Sequence, residues 1–149
     1  MDELVQRGAS CLTVLDISAA GLDRAAGRLG SRRAEVSWIE ADVTTEWRVP
    51  IVDIWHDRAL FHFLTERADR AIYRDRVLQG LRPGGSFIVA TFGPDGPPKC
   101  SGLPTERYSP ESLNQELGAR FQLKDAIQER HQTPFGTTQE FWYSRFELV

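Results

Sequence analysis

Asp16, Asp42 and the adjacent pair His56 and Asp57 each stand at the end of an apolar run, and they are the side chains best placed to do chemistry. In an open α/β sheet, ligands bind outside the carboxyl ends of the strands, so polar residues at those ends converge on one crevice. A carboxylate at such a position can accept both hydroxyls of a ribose, which suits Asp16. An imidazole titrates near neutrality, so His56 could take a proton from a nucleophile while Asp57 orients it. Other readings stand beside these. His56, Asp57, His62 and His131, with Cys100, could gather round a divalent metal, although their spacing matches no established site. Asp16 and Asp42 could cap helices or form turns. His56 and Asp57 could bond backbone at a strand end, with Phe61 and Phe63 filling the core and His62 half-buried between them. Cys100 reads as an exposed thiol or a reactive one.

The elements that would position these residues alternate between short apolar runs and helical patterns, the order expected of βαβ units round a mostly parallel sheet. Cys11 to Leu15 predicts a strand ending at Asp16. Ser18 caps a helix over Ala19 to Leu29, where Leu22, Ala25, Ala26 and Leu29 recur at helical spacing and Gly30 stops it. Strands follow over Glu35 to Glu40 and Ile51 to Trp55, and a helix over Asp69 to Leu81. Arg82-Pro83-Gly84-Gly85 makes a turn, and Ser86 to Phe92 is the most strand-like stretch of all. Gly93 to Pro104 is long enough for a lid or binding loop. Ser109, Pro110 and Glu111 open a short helix. Phe121 to His131 and Gln139 to Leu148 flank the turn Thr133-Pro134-Phe135-Gly136 as an antiparallel pair. Trp38 and Trp142 read as core residues in strands, and Trp55 adjoins His56.

With 149 residues, the chain is expected to form one domain over 1–149. Eighteen Lys and Arg against 21 Asp and Glu give a net charge of −3, with no basic run to track a phosphate backbone, so no nucleic-acid partner is expected. Cys11 and Cys100 belong to no Cys-x-x-Cys or Cys/His spacing, and reduced thiols in a cytoplasm fit best. No apolar stretch is long enough to span a membrane, and no membrane partner is expected.

Taken in order, VLDIS, IEADVT, DIWHDRALFHFL and LRPGGSFIVATF resemble successive blocks of class I S-adenosylmethionine (SAM) dependent methyltransferases, a resemblance that covers nearly the whole chain. It implies a Rossmann-like sheet and methyl transfer from SAM to a small molecule or protein side chain. By that resemblance Asp16 holds the SAM ribose and Ile17 lies against the adenine. Asp42 accepts the adenine amino group, Val43 covers the ring's other side, and His56 and Asp57 sit where methyl donor and acceptor meet. His131 to Phe141 resembles the closing hairpin of small bacterial, thiopurine-methyltransferase-like members. The family also has a strand and a GxGxG-type loop ahead of these blocks, and nothing before Asp2 supplies them. The chain is therefore read as N-terminally truncated, lacking the first, central strand, with SAM binding weakened by loss of the glycine-rich cradle. Either the flanking strands pair directly or a homodimer completes the sheet. The competing reading is a non-catalytic binding protein, metal-binding among its variants, that keeps the fold.

Overall fold

Ser18 and Gly30 bracket the first long helix as the sequence predicts, and the same local logic recurs along the chain. A computed structural model describes residues 1–132 and 138–149, without the side chains of 131, 132 and 138. The chain divides into two compact units, Met1–Pro50 and Ile51–Val149.

In the N-terminal unit, α1 (Asp2–Gln6) precedes β1 (Leu12–Asp16), α2 (Ala19–Leu29) and β2 (Val36–Glu40). The Ser18 hydroxyl accepts a hydrogen bond from the Gly21 amide at 3.1 Å, satisfying one of the orphan donors at the start of α2. Leu22 and Ala26 face inward, and Gly30 ends the helix with φ +58°, open to glycine without a Cβ penalty. A 3-10 turn over Gly30–Glu35 leads into β2. There Arg32 reaches back to the Val5 carbonyl at 2.6 Å, tying α1 to the unit. β1 and β2 run parallel, with Leu12 opposite Val36 and Asp16 opposite Glu40. Among the described residues β1 is laddered on one side only.

The C-terminal unit holds a four-stranded sheet in the order β3-β4-β8-β7. β3 (Val52–Arg58) runs parallel to β4 (Leu81–Phe92). β8 (Thr138–Leu148) is antiparallel to both β4 and β7 (Phe121–Gln132). The closing antiparallel pair is as expected, and its turn lies outside the described residues. β3 is longer than the sequence suggested: its ladder continues past Trp55, pairing His56 with Ile88, Asp57 with Val89 and Arg58 with Ala90. Its other edge carries no ladder among the described residues. α3 (Arg67–Gly80) packs Tyr73 and Val77 into a core that includes Phe87, Val89, Phe121 and Phe146.

Between Leu81, which pairs with Val52, and Ser86, which pairs with Ile54, residues 82–85 leave the β3–β4 register, so the expected turn lies inside β4's span. Gly84 has φ +76°, and a Cβ on Gly85 would lie 2.7 Å from the Arg82 carbonyl oxygen and 3.0 Å from that of Asp53. Backbone oxygens cannot swing aside. Gly85→Ala is therefore expected to cost about 1–3 kcal/mol through forced backbone displacement, checked by urea unfolding against Gly27→Ala, where a Cβ meets nothing within 4 Å.

After β4 the chain forms a small hairpin, β5 (Lys99–Cys100) and β6 (Leu103–Pro104). Its two-residue loop has positive φ at both Ser101 (51°) and Gly102 (83°), the left-handed pair that tight hairpins favour. α4 (Pro110–Leu117) follows. Ser109 and Ser112 cap its start reciprocally, while the Ser109 hydroxyl donates to Glu111 at 2.8 Å. Among the described residues no helix is long and apolar enough to cross a membrane.

Candidate functional site

In the N-terminal unit, parallel pairing of β1 and β2 sets Asp16 and the segment leading to Asp42 at the same, carboxyl end. The Asp16 carboxylate is exposed, and its Oδ1 accepts the Ser18 amide at 2.8 Å. Its Oδ2 makes no hydrogen bond among the described residues, so Asp16 is both a turn-former and a free acceptor. Ile17 beside it is 67% exposed, an apolar side chain held out from the strand end. Asp42 is half-buried, and its Oδ1 accepts from the Thr44 amide at 2.8 Å and the Thr44 hydroxyl at 2.7 Å. Those two bonds, the hydroxyl's foremost, hold its carboxyl below the usual range and keep it ionised. Val43 is buried, packed into its unit.

In the C-terminal unit the two expected catalytic residues point to opposite faces of β3, as strand alternation requires. His56 is exposed, and partial desolvation lowers its pKa from the ordinary imidazole value. Asp57 is only 5% exposed. Its Oδ1 accepts the Leu60 amide at 2.8 Å, and its Oδ2 accepts the Phe61 amide at 3.1 Å and the Tyr73 hydroxyl at 2.8 Å. Tyr73 in turn receives the Trp55 indole N–H at 3.1 Å. Burial pushes the Asp57 carboxyl up to about 6, against the pull of the three donors. The same burial, with the Asp57 charge beside it, raises the Tyr73 hydroxyl well above its ordinary value. Asp57 thus fastens the turn after β3 to α3, and among the described residues no hydrogen bond joins His56 to its carboxylate.

His62 lies deeper than the half-buried position expected of it. It is 1% exposed in a 3-10 turn over Phe61–Phe63, stacked on Phe92 with centroids 4.4 Å apart and planes 7° from parallel. Neither ring nitrogen has a hydrogen-bond partner among the described residues. Desolvation lowers its pKa to about 4, so the ring is neutral at pH 7. Nothing local announces this: the string Phe61-His62-Phe63 shows a histidine between two aromatic residues, and only β4 and β8 bring Phe92 and Phe141 to it. Tyr73 escaped the sequence reading for a similar reason, lying 16 residues from the carboxylate it binds.

Among the described residues no three His, Cys, Asp or Glu side chains converge as a metal site would require. Cys100, half-buried in the β5–β6 hairpin, stays a free thiol. A cavity of about 360 Å³ lies at the N-terminus of α4, with Asp95, Glu111, Glu140 and Trp142 in its wall, and none of the six residues expected in the site lines it.

No protein-family model matches the sequence, and no curated protein matches it. Solved structures do. The N-methyltransferase NodS from Bradyrhizobium japonicum WM9 superposes with a TM-score of 0.71 at 18% identity, over 93% of this chain and 73% of that one. A SAM-dependent methyltransferase from Methanosarcina mazei gives 0.74 at 14% identity, over 99% and 85%. The 1,6-didemethyltoxoflavin-N1-methyltransferase of Burkholderia thailandensis, solved with its acceptor and S-adenosylhomocysteine, gives 0.71 at 23% identity, over 99% of this chain and 65% of that one. At these identities the likeness speaks for the architecture: this chain has the fold of the class I SAM-dependent methyltransferases.

Proposed function

We propose that this chain is a SAM-dependent methyltransferase acting on a small molecule or a protein side chain, and that its N-terminal unit holds the adenosine half of the cofactor. The observation that carries the reading is the exposed pair Asp16 and Ile17 at the carboxyl end of β1, in a fold shared with solved enzymes of this class. The residues present suit the cofactor. Asp16 keeps one carboxylate oxygen for ribose hydroxyls, Ile17 offers an apolar surface to the adenine, and ionised Asp42 has its second oxygen for the exocyclic amine. Val43 would contribute through packing behind the ring. When bound, SAM supplies an electrophilic methyl group on a positively charged sulfur. His56, exposed and kept largely neutral near pH 7, would take the acceptor's proton, and Asp57 would act as a positioning residue by fixing the turn that follows β3.

The affinity of the described residues for the cofactor rests on these adenosine contacts. Calorimetric titration with S-adenosylhomocysteine is expected to give saturable heat that Asp16→Ala and Asp42→Ala each reduce about tenfold or more in affinity, the worth of a hydrogen bond to a charged group. No heat at millimolar ligand would end the proposal.

The reading includes a homodimer. Among the described residues β1 and β3 each present one edge without a ladder, and Ile54 on β3 is 61% exposed, a combination that invites pairing with a second copy. Sedimentation at tens of micromolar protein is expected to show a dimer; a monomer would remove this part.

A further inference from the structure

Alternation along β8 sets Glu140 and Trp142 on one face of the sheet, and the β7–β8 register puts Gln128 opposite Trp142, with Ala126 one pleat further along. These side chains and Leu123 line the cavity at the head of α4, to which Asp95, just after β4, and Glu111, in the first turn of α4, supply two more carboxylates. A Cβ on Gly93 would lie 2.8 Å from Glu140 Oε1 and 3.0 Å from Trp142 Cδ1. The carboxylate and the indole therefore converge on the space that a side chain at Gly93 would take.

The charge of the wall has one sign. Three carboxylates line the cavity, and no lysine, arginine or histidine does. Among the described residues none of the three is in an ion pair. Arg107, which reaches the adjoining loop, donates to the Pro94 and Gly96 carbonyls instead. The segment 133–137, Thr-Pro-Phe-Gly-Thr in the sequence, adds no basic side chain. Glu111 accepts the Ser109 hydroxyl at 2.8 Å, a bond that holds its carboxyl below the usual range and keeps it ionised. The head of α4, which would otherwise favour an anion, already has the Ser109 cap and the Glu111 carboxylate.

A bare metal ion does not suit this wall, since no three His, Cys, Asp or Glu side chains among the described residues converge as its ligands would. A volume of about 360 Å³ and the apolar surfaces of Trp142, Leu123 and Ala126 call for a larger body. An indole face also attracts a cation directly. We infer that this cavity binds a small organic cation, an ammonium group on an apolar body, with the charge held by Glu140 and Trp142 and the body against Leu123 and Ala126. A neutral molecule of the same shape gains only the apolar contacts, and an anion meets three like charges. None of the residues expected to hold SAM or take the acceptor's proton lines the cavity, so the inference goes beyond methyl transfer and does not depend on it.

The test uses the whole chain with labelled indole nitrogens, titrated at pH 7 with benzylammonium, benzyl alcohol and benzoate as cationic, neutral and anionic probes. The Trp142 indole resonance, identified by its loss in Trp142→Phe, is expected to shift saturably with benzylammonium, and added salt to weaken that binding. Benzyl alcohol is expected to bind about tenfold more weakly, and benzoate to leave the resonance unmoved. Glu140→Gln combined with Asp95→Asn, which keeps both side-chain shapes, should weaken benzylammonium about fivefold or more and leave benzyl alcohol unchanged. An unmoved Trp142 resonance at tens of millimolar benzylammonium, equal binding of benzyl alcohol or benzoate, or an unchanged benzylammonium affinity in the double variant would overturn the inference. No cofactor enters this titration, so its failure is distinguishable from failure of the separate S-adenosylhomocysteine titration.

Discussion

Asp57→Ala is expected to destabilise the protein by about 3–5 kcal/mol, one of the largest losses available to a single polar substitution in this chain. The carboxylate accepts three hydrogen bonds, from the Leu60 and Phe61 amides and the Tyr73 hydroxyl. Alanine leaves all three donors buried, and each orphan costs about 1–3 kcal/mol. The Tyr73 ring would keep its contacts with Trp55 and Phe61 but lose the acceptor that fixes its hydroxyl. Asp57→Asn, which keeps one acceptor oxygen and the shape, should cost much less. Guanidinium unfolding of the two variants measures the difference. A small loss for alanine would show that water or a backbone shift satisfies the three donors, and that the turn after β3 does not depend on this residue.

Acid should act on Asp57 and His62 in opposite directions. Burial raises Asp57 from 3.8 to about 6, so between those values the folded state binds more protons than the unfolded one. Its contribution to stability therefore falls as pH rises from about 4 to about 6. Burial lowers His62 from 6.5 to about 4, so over nearly the same window the unfolded state binds more protons, and its contribution rises with pH. Each slope reaches at most about 1.4 kcal/mol per pH unit, and their sum in the wild-type protein is close to flat as far as these two groups are concerned. Removing one exposes the other. His62→Phe should become more stable as pH falls from 6.5 to 4, and Asp57→Asn less stable, each relative to wild type at the same pH. Stability curves at half-unit intervals decide this, and parallel curves for all three proteins would show that neither group is buried as described.

What could be read from the sequence follows the range of the interaction involved. Ser18 at the head of α2, Gly30 at its end and the Ser109-Pro110 start of α4 were legible because a cap and its partner lie within one turn. The turn at Arg82–Gly85 was legible from proline and glycine alone, although not its placement inside β4's span. The reach of β3 was not. His56, Asp57 and Arg58 look like a polar loop, and only the ladder to Ile88, Val89 and Ala90 makes them strand. The candidate site divides in the same way. Asp16 and Asp42 announce themselves as acids at strand ends, whereas the partners of Asp57 and the aromatic cluster round His62 come from α3, β4 and β8, at separations that no local pattern encodes.

The account centres on Asp16 as the acceptor for the cofactor's ribose, and a double-mutant cycle on protein and ligand addresses that contact alone. S-adenosylhomocysteine and its 2′-deoxy analogue are titrated into wild-type protein and Asp16→Ala. The account predicts that losing the hydroxyl weakens binding to wild type by about tenfold and leaves binding to Asp16→Ala unchanged, since the group it bonds is already gone. The same penalty in both proteins, or no measurable binding of either ligand to wild type, would contradict it.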